Sequence, residues 1–265
     1  MQIVSKKMVL SVGLIWLAAT SSLFGQDFQK NYPLPEGGGI SVQNISGDVT
    51  VTGYDGQTVQ VLGYKEGRDR ERVTIEESLA GNNLSIRIRY PRNCNCQASV
   101  RFDVKVPRAR NFNFDSITSV SGDVEISGVA GKVDAKSVSG NVVVHKATGS
   151  VEAKSTSGNV RLSEINGSVN AASVSGDVEV SITQLGAGQD MDFTSISGDV
   201  HVRLPAGVDA EVKMTTLSGS LQTDFPLTIE KGRFSPGRRA NGRLGAGTHR
   251  LKLSSISGDV SLRRT

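Results

Sequence analysis

The sequence predicts an all-β chain wound as a single-stranded parallel β-solenoid, with 18-residue coils each made of two 9-residue units. Three observations predict it. The first is a phrase that recurs: NISGDVTV from Asn44, SVSGDVEI from Ser119, SVSGNVVV from Ser137, STSGNVRL from Ser155, SVSGDVEV from Ser173, SISGDVHV from Ser195, TLSGSLQT from Thr216 and SISGDVSL from Ser255. The second is spacing: Gly122, Gly140, Gly158 and Gly176 stand 18 residues apart, and Gly131, Gly149 and Gly167 halve the step. The third is composition. Aromatics make up only 5% of 265 residues while Gly numbers 30, too little bulk for a thick core but ample β-branched residue for strands. Self-similarity at a fixed period is a stronger guide to the fold than local propensity.

Residues 1–25 read as a secretory signal peptide. Lys6 and Lys7 precede an uncharged stretch from Met8 to Phe24, and small and polar residues follow, with cleavage after Gly25 or near Ser21. An uncleaved anchor is the alternative, since the stretch reaches the lower limit for a span, roughly 17 residues. That would be the chain's one membrane contact. Residues 26–265 form the solenoid domain.

Residues 26–116 alternate more loosely, as in GISVQNISGDVTVTGY and SVRFDVKVP, and predict coils with longer loops. Gly47 and Gly122 are 75 residues apart, which fits about four coils stacked in chain order. A separate β-sandwich is the alternative. Cys94 and Cys96, the two cysteines of the chain, sit in PRNCNCQA. In an oxidising compartment a loop disulfide is favoured over free thiols or a metal pair, provided the loop turns between them.

Residues 117–221 hold the regular repeats. The second position after each Gly is Val in all seven consecutive units from Gly122. Alternation points the second and fourth positions inward, and the seventh also where it is apolar. Parallel stacking then places Val124, Val142, Val160 and Val178 in one sheet and Val133, Val151 and Val169 in the other, at the strand spacing of ~4.8 Å. An antiparallel meander would break these like-on-like ladders. In the S-x-S-G phrase the Gly turns the corner, the middle residue is expected inside, and both serines outside, bonded to turn backbone. The corner ladder is read as structural: Gly122 with Asp123, Gly140 with Asn141, Gly158 with Asn159, and Gly176 with Asp177. The two Asn separate carboxylates that would repel, which suits an amide ladder.

Residues 222–265 form a basic loop and a closing coil. The excursion KGRFSPGRRANGRLGAG carries Lys231, Arg233, Arg238, Arg239 and Arg243, and Arg250 follows. If the closing coil caps the stack, these residues gather at one end as a patch for an anionic partner. The alternative is a charged cap that deters end-to-end growth. The formal net charge is +4, with +8 in residues 231–265 and about −6 in residues 26–230. So acidic a body excludes nucleic acid as the partner.

Residue chemistry points away from catalysis. Asp134 and Glu152 are adjacent outward carboxylates, but Lys136 and Lys154 beside them make a solvated charge ladder. His145, His201 and His249 share no ligand spacing with each other or with cysteine. No G-x-S-x-G elbow occurs, and the nine-residue step lacks the double Gly of calcium-binding nonapeptides. No catalytic residue, metal or cofactor is expected. Ice or crystalline-glycan binding would need a flat hydroxyl array rather than Ser at a corner.

The motifs GGISVQNISGDVTVTGYDGQTVQV, VKVP at Val104–Pro107, the SVSGDV series, LPAGVDAEVKMTTLSGSLQTDFPL and GDVSLRR, in that order, resemble the bacterial putative-adhesin family. Its members are uncharacterised β-strand-repeat proteins classed as a domain of unknown function, and the likeness covers nearly the whole mature chain. It implies a β-helix at the envelope or surface and supplies no catalytic residues. The expected function is an exported, non-enzymatic binding module for an envelope polymer, an anionic surface or a protein. A polysaccharide-acting β-helix enzyme and a structural envelope scaffold are the alternatives.

Overall fold

The computed structural model describes residues 27–186, 190–231 and 237–265; the expected leader, residues 1–25, and Arg233 lie outside the described residues. The chain runs β1 (Phe28–Tyr32), β2 (Gly39–Ser46), β3 (Val49–Tyr54), β4 (Val59–Glu66), β5 (Thr74–Ala80), β6 (Asn83–Arg89), β7 (Ser99–Pro107) and β8 (Asn111–Ser121). Three long strands follow, β9 (Val124–Ser139), β10 (Val142–Ser157) and β11 (Val160–Ser175). Next come β12 (Val178–Leu185), β13 (Met191–Ser197), β14 (Val200–Leu204), β15 (Ala210–Ser218) and β16 (Leu221–Thr223). The chain closes with β17 (Thr228–Lys231), β18 (Arg238–Leu244), β19 (His249–Ser257) and β20 (Val260–Arg264). The architecture is all-β and solenoid-like, and its sheet is mixed.

In the centre the parallel register is the one the glycine spacing predicts. Val124 pairs with Val142, Val142 with Val160 and Val160 with Val178, while Val133, Val151 and Val169 pair on the other face. All seven valines are buried, as are the Ile126, Val144, Leu162 and Val180 of the next inward row. Each of β9, β10 and β11 crosses from one face to the other through a second corner at Gly128, Lys146 and Glu164, all left-handed at φ 64°, 53° and 54°. Small inward residues on one face, Ala135, Ala153 and Ala171, keep the interior narrow.

At both ends the coils leave chain order, which corrects the expectation of sequential stacking. The coil of β2 and β3 lies between β6–β7 on one side and β8–β9 on the other. Gly47 is therefore the immediate neighbour of Gly122, its N–H donating to the Ser121 carbonyl at 2.8 Å. The 75 residues between them do not form four coils in series. Similarly, β19 and β20 insert between β13–β14 and β15–β16. The closing coil is an internal layer and not the cap. Motif spacing measures chain length between coils, which is silent about which coil a returning segment rests on.

The ends are finished by antiparallel strands: β1 on β4, β4 on β7 and β5 on β6 at one end, with β18 on β15 and β17 on β18 at the other. Such strands interrupt the parallel template that an open solenoid end would offer to another chain. The described parts of the basic excursion, Lys231 at the end of β17 and the strand β18, thus belong to the capping strands.

Candidate functional site: an aliphatic corner ridge and a charged groove

The recurrent phrase is used up in building one corner, and the direction of its side chains reverses the expectation. The first serine of S-x-S-G is buried and donates to the Gly carbonyl of the neighbouring coil. Ser137 bonds Gly122 at 2.9 Å, Ser155 bonds Gly140 at 2.8 Å, Ser173 bonds Gly158 at 2.9 Å and Ser195 bonds Gly176 at 2.9 Å. A buried carbonyl left without a donor costs about 1–3 kcal/mol, so the hydroxyl earns an inward position that hydropathy alone assigns to Val. With serine inside, period two forces the middle residue out. The glycine is needed because the coils touch there: a Cβ on Gly158 would lie 2.2 Å from the Gly140 carbonyl oxygen.

The Asp and Asn that follow the glycine also form a ladder, though through the backbone rather than amide to amide. Asn141 N–H donates to Asp123 Oδ1 at 2.7 Å, Asn159 N–H to Asn141 Oδ1 at 3.0 Å and Asp177 N–H to Asn159 Oδ1 at 2.8 Å. The series continues to Asp199, Asp259 and Ser220. Bonds from the backbone and side chain of Ser220 hold the Asp259 carboxyl below the usual carboxylate range, with His201 and Arg238 adding to the effect. One oxygen of each acid is thereby committed to scaffold. Among the described residues no group of three or more His, Cys, Asp or Glu could hold a metal ion.

The residues turned outward form a ridge. In spatial order it runs Ile45, Val120, Val138, Thr156, Val174, Ile196, Ile256 and Leu217, one per coil. The seven aliphatic members are 42–51% exposed, and beyond them only Leu79 and Ile229 are exposed large hydrophobics among the described residues. At a strand spacing of ~4.8 Å the ridge is roughly 34 Å long. Ser121, Ser139, Ser157, Ser175, Ser197, Ser257 and Ser218 run beside it, all exposed.

Pairs with catalytic residue types are engaged in contacts along one strand or between neighbouring coils. Lys136 Nζ bonds Asp134 Oδ2 at 2.8 Å and Lys154 Nζ bonds Glu152 Oε1 at 2.5 Å. Lys154 first, then Lys136 and Lys132, hold the Glu152 carboxyl below its usual range, the opposite of what a general acid needs. His201 Nδ1 meets Ser261 Oγ at 2.7 Å, with Asp199 Oδ2 at 3.8 Å from Nε2. The same Ser–His contact recurs at His145 and Ser163, 2.8 Å, beside Glu164. A contact repeated between coils is ladder packing, and the adjacent strand N–H groups are committed to the sheet rather than aimed at an oxyanion. Cys94 and Cys96 form a disulfide in the loop before β7, with Cα atoms 5.0 Å apart.

The structure divides the sequence-predicted basic patch. Arg239 and Arg243 project outward from β18, Arg238 lies at the corner near Asp259, and Arg250 is on β19, two strands inward. Lys231 ends β17. Arg263 is taken by Asp224 at 2.8 Å and by Gln222. What forms instead is a groove of about 810 Å³ on the outer face of β13, β19, β15 and β18. Arg243 and Arg250 enter it together with Lys213, Lys252, Asn170 and Asn241. Sequence reasoning missed Lys213 and both amides. The rows that join them exist only because β19 inserts beside β15, which no motif spacing reports.

The Toastrack DUF4097 family matches this chain twice, over residues 103–163 and 146–263, the overlap falling in the regular repeats. No curated protein matches. Among solved structures, the chain is similar to a putative adhesin from Bacteroides fragilis NCTC 9343, with 15% identity, 90% of this chain and 96% of that one covered, and a TM-score of 0.47. It is also similar to a putative cell adhesion protein from Clostridium sporogenes ATCC 15579, at 12% identity, 90% and 99% coverage and a TM-score of 0.36. A putative adhesin from Parabacteroides distasonis ATCC 8503 matches at 14% identity, 90% and 96% coverage and a TM-score of 0.34. Those superpositions are too loose to carry an argument about geometry. The two matched segments together span more than half of the chain, from β7 to β20, and on that ground the protein belongs to the Toastrack DUF4097 family, whose function is unknown.

Proposed function

We propose that the chain is an exported, non-enzymatic binding module of the cell envelope or surface, and that the aliphatic corner ridge is the face it presents. One observation carries this reading: seven of the nine exposed large aliphatics among the described residues lie on a single line at strand spacing, broken once by Thr156 and bordered by hydroxyls. Scattered exposed aliphatics need no explanation, whereas contiguous ones mark interaction surfaces. The repeat's recurring polar groups are committed to the corner, so the fold uses its sequence regularity to hold the line straight. The uniformly coiled interior of the centre, 18 residues per turn, supplies the rigidity.

The test is retention. Purified residues 26–265 are incubated with isolated envelope polysaccharide and with envelope membranes, and both retained protein and soluble cleavage products are measured. A triple variant, Val120→Ser, Val138→Ser and Val174→Ser, should fold normally and lose retention. Unaltered retention removes the ridge from the reading, and reproducible cleavage without retention favours a polysaccharide-acting enzyme. Fractionation with protease accessibility tests export.

A further inference from the structure

The groove on the outer face of β13, β19, β15 and β18 has a charge arrangement that points to a ligand class. Its side chains form two cross-strand rows. Asp190, Arg250, Glu211 and Arg243 alternate in sign along the first, and Asp192, Lys252, Lys213 and Asn241 make the second. Asp190 lies 3.7 Å from Arg250, and Asp192 lies 2.8 Å from Lys252. Those pairs leave Lys213, Arg243 and Glu211 with no ion pair within 4.0 Å among the described residues, an unpaired balance of one positive charge. Lys213 stands directly beside Lys252, a like-charged neighbour that repels it and raises the benefit of an incoming anion. At the two ends of the second row are amides. Asn170 accepts the Asp192 N–H through Oδ1 at 2.9 Å, which leaves its amide hydrogens to give, and both Asn170 and Asn241 are exposed.

Size and polarity narrow the class further. A single ion would leave most of 810 Å³ unfilled, because a water-sized particle takes about 30 Å³; the volume falls in the range of small organic ligands, roughly 300–1,000 Å³. The apolar members, Met191, Val212 and Leu251, are at most 2% exposed, so the groove's apolar surface belongs to the hydrocarbon stems of its long charged side chains, on which the C–H face of a sugar ring can rest. Four cations against three carboxylates, with two amides in an open trough, match a ligand that carries hydroxyls and one negative group per unit.

We propose that this groove binds a carboxylated or sulfated sugar unit of an acidic glycan, with Lys213 and Arg243 taking the anionic group and Asn170 and Asn241 the ring hydroxyls. The proposal rests on the surface-binding reading but on a different face, so the two can fail separately. Isothermal titration with residues 26–265 would use a galacturonate hexamer, a sulfated heparin hexasaccharide, a neutral malto-hexaose, hexaglutamate and oligo(dT), at low and at physiological salt. Binding of either acidic sugar, with the neutral sugar inert, is the expected result. Lys213→Gln with Arg243→Gln should weaken it about tenfold or more, the sum of two exposed charge contacts. Arg87→Gln with Lys105→Gln, which removes equal charge from exposed sites at the other end, should leave it unchanged. Equal loss in both variants, or tighter binding of hexaglutamate or oligo(dT), overturns the sugar assignment. So does no binding of either acidic sugar. Retention lost in the ridge variant with sugar binding intact supports two independent faces, retention kept in that variant with sugar binding intact leaves only the groove, and retention lost in it with no acidic sugar bound by the wild type leaves only the ridge.

Discussion

Replacing Gly158 with alanine should be far more damaging than an ordinary glycine substitution, and the corner geometry gives the size of the effect. The added Cβ would sit 2.2 Å from the Gly140 carbonyl oxygen and 2.6 Å from its carbon. That is more than 1 Å short of an optimal separation of about 3.5 Å, and the obstructing atoms are backbone. The two coils must part locally by about that distance. Three bonds that cross between these two coils then stretch past the limit for a hydrogen bond: Ser155 to Gly140 at 2.8 Å, Asn159 N–H to Asn141 at 3.0 Å and Val142 N–H to the Asn159 carbonyl at 2.9 Å. At about 1 kcal/mol net each, the loss approaches 3 kcal/mol. Restricting the unfolded chain returns about 0.4–1 kcal/mol, so the expected cost is about 2 kcal/mol. Gly207→Ala is the control, because its Cβ would meet nothing within 4 Å. Urea unfolding followed by circular dichroism compares the two midpoints. If Gly158→Ala unfolds at the same urea concentration as Gly207→Ala, the coils are not held at contact distance and the reasoning fails.

Other perturbations test other parts of the structure. Val160→Asp buries an unpaired charge in the central ladder and should cost about 3–5 kcal/mol, read as a lowered urea midpoint. Val138→Thr should stay within about 0.5 kcal/mol of wild type if the ridge is outward, whereas an inward Val138 would make the change cost several times more. Asp209, Asp224 and Asp259 have carboxyls held below the usual range, chiefly by the Thr248 hydroxyl, the Arg263 guanidinium and the Ser220 N–H respectively. Each links the coil of β15 and β16 to that of β19 and β20. A depressed folded pKa gives stability present above the unfolded value near 3.8 and lost as pH falls through the folded one. Hydrogen exchange should therefore show these two coils opening below about pH 4 before the valine ladders of β9 to β11 do.

The central coils were legible because their constraint is local and repeated. Gly, then x, then Val at a constant step of 18 leaves one way to stack Val124, Val142, Val160 and Val178, and they pair so. The facing of the S-x-S corner was not legible by hydropathy. Val138 is more apolar than Ser137, but only Ser137 can satisfy the Gly122 carbonyl, and the unmet carbonyl outweighs the methyl groups. The groove was partly legible: Arg243 and Arg250 were singled out by charge, whereas Lys213 and Asn241 gained a role only through the strands set beside them. Strand order at the ends depends on which surfaces remain open when a segment returns, and this has no periodic trace.

The interleaving of the last coils constrains the order in which the molecule can be completed. The layer of β15 and β16 is synthesised first yet rests on β19 and β20, which are made after it. A chain emerging from its amino end can settle the central coils one after another, but this layer must wait, held open, until β19 and β20 are free. A solenoid trimmed at its end normally loses one outer layer. Here, removing residues 249–265 would take out an inner layer, leaving β15 and β16 without a parallel neighbour on either face. Lengthening by repeat duplication is correspondingly restricted to the interior between Val124 and Val178, where an added coil finds the same register above and below.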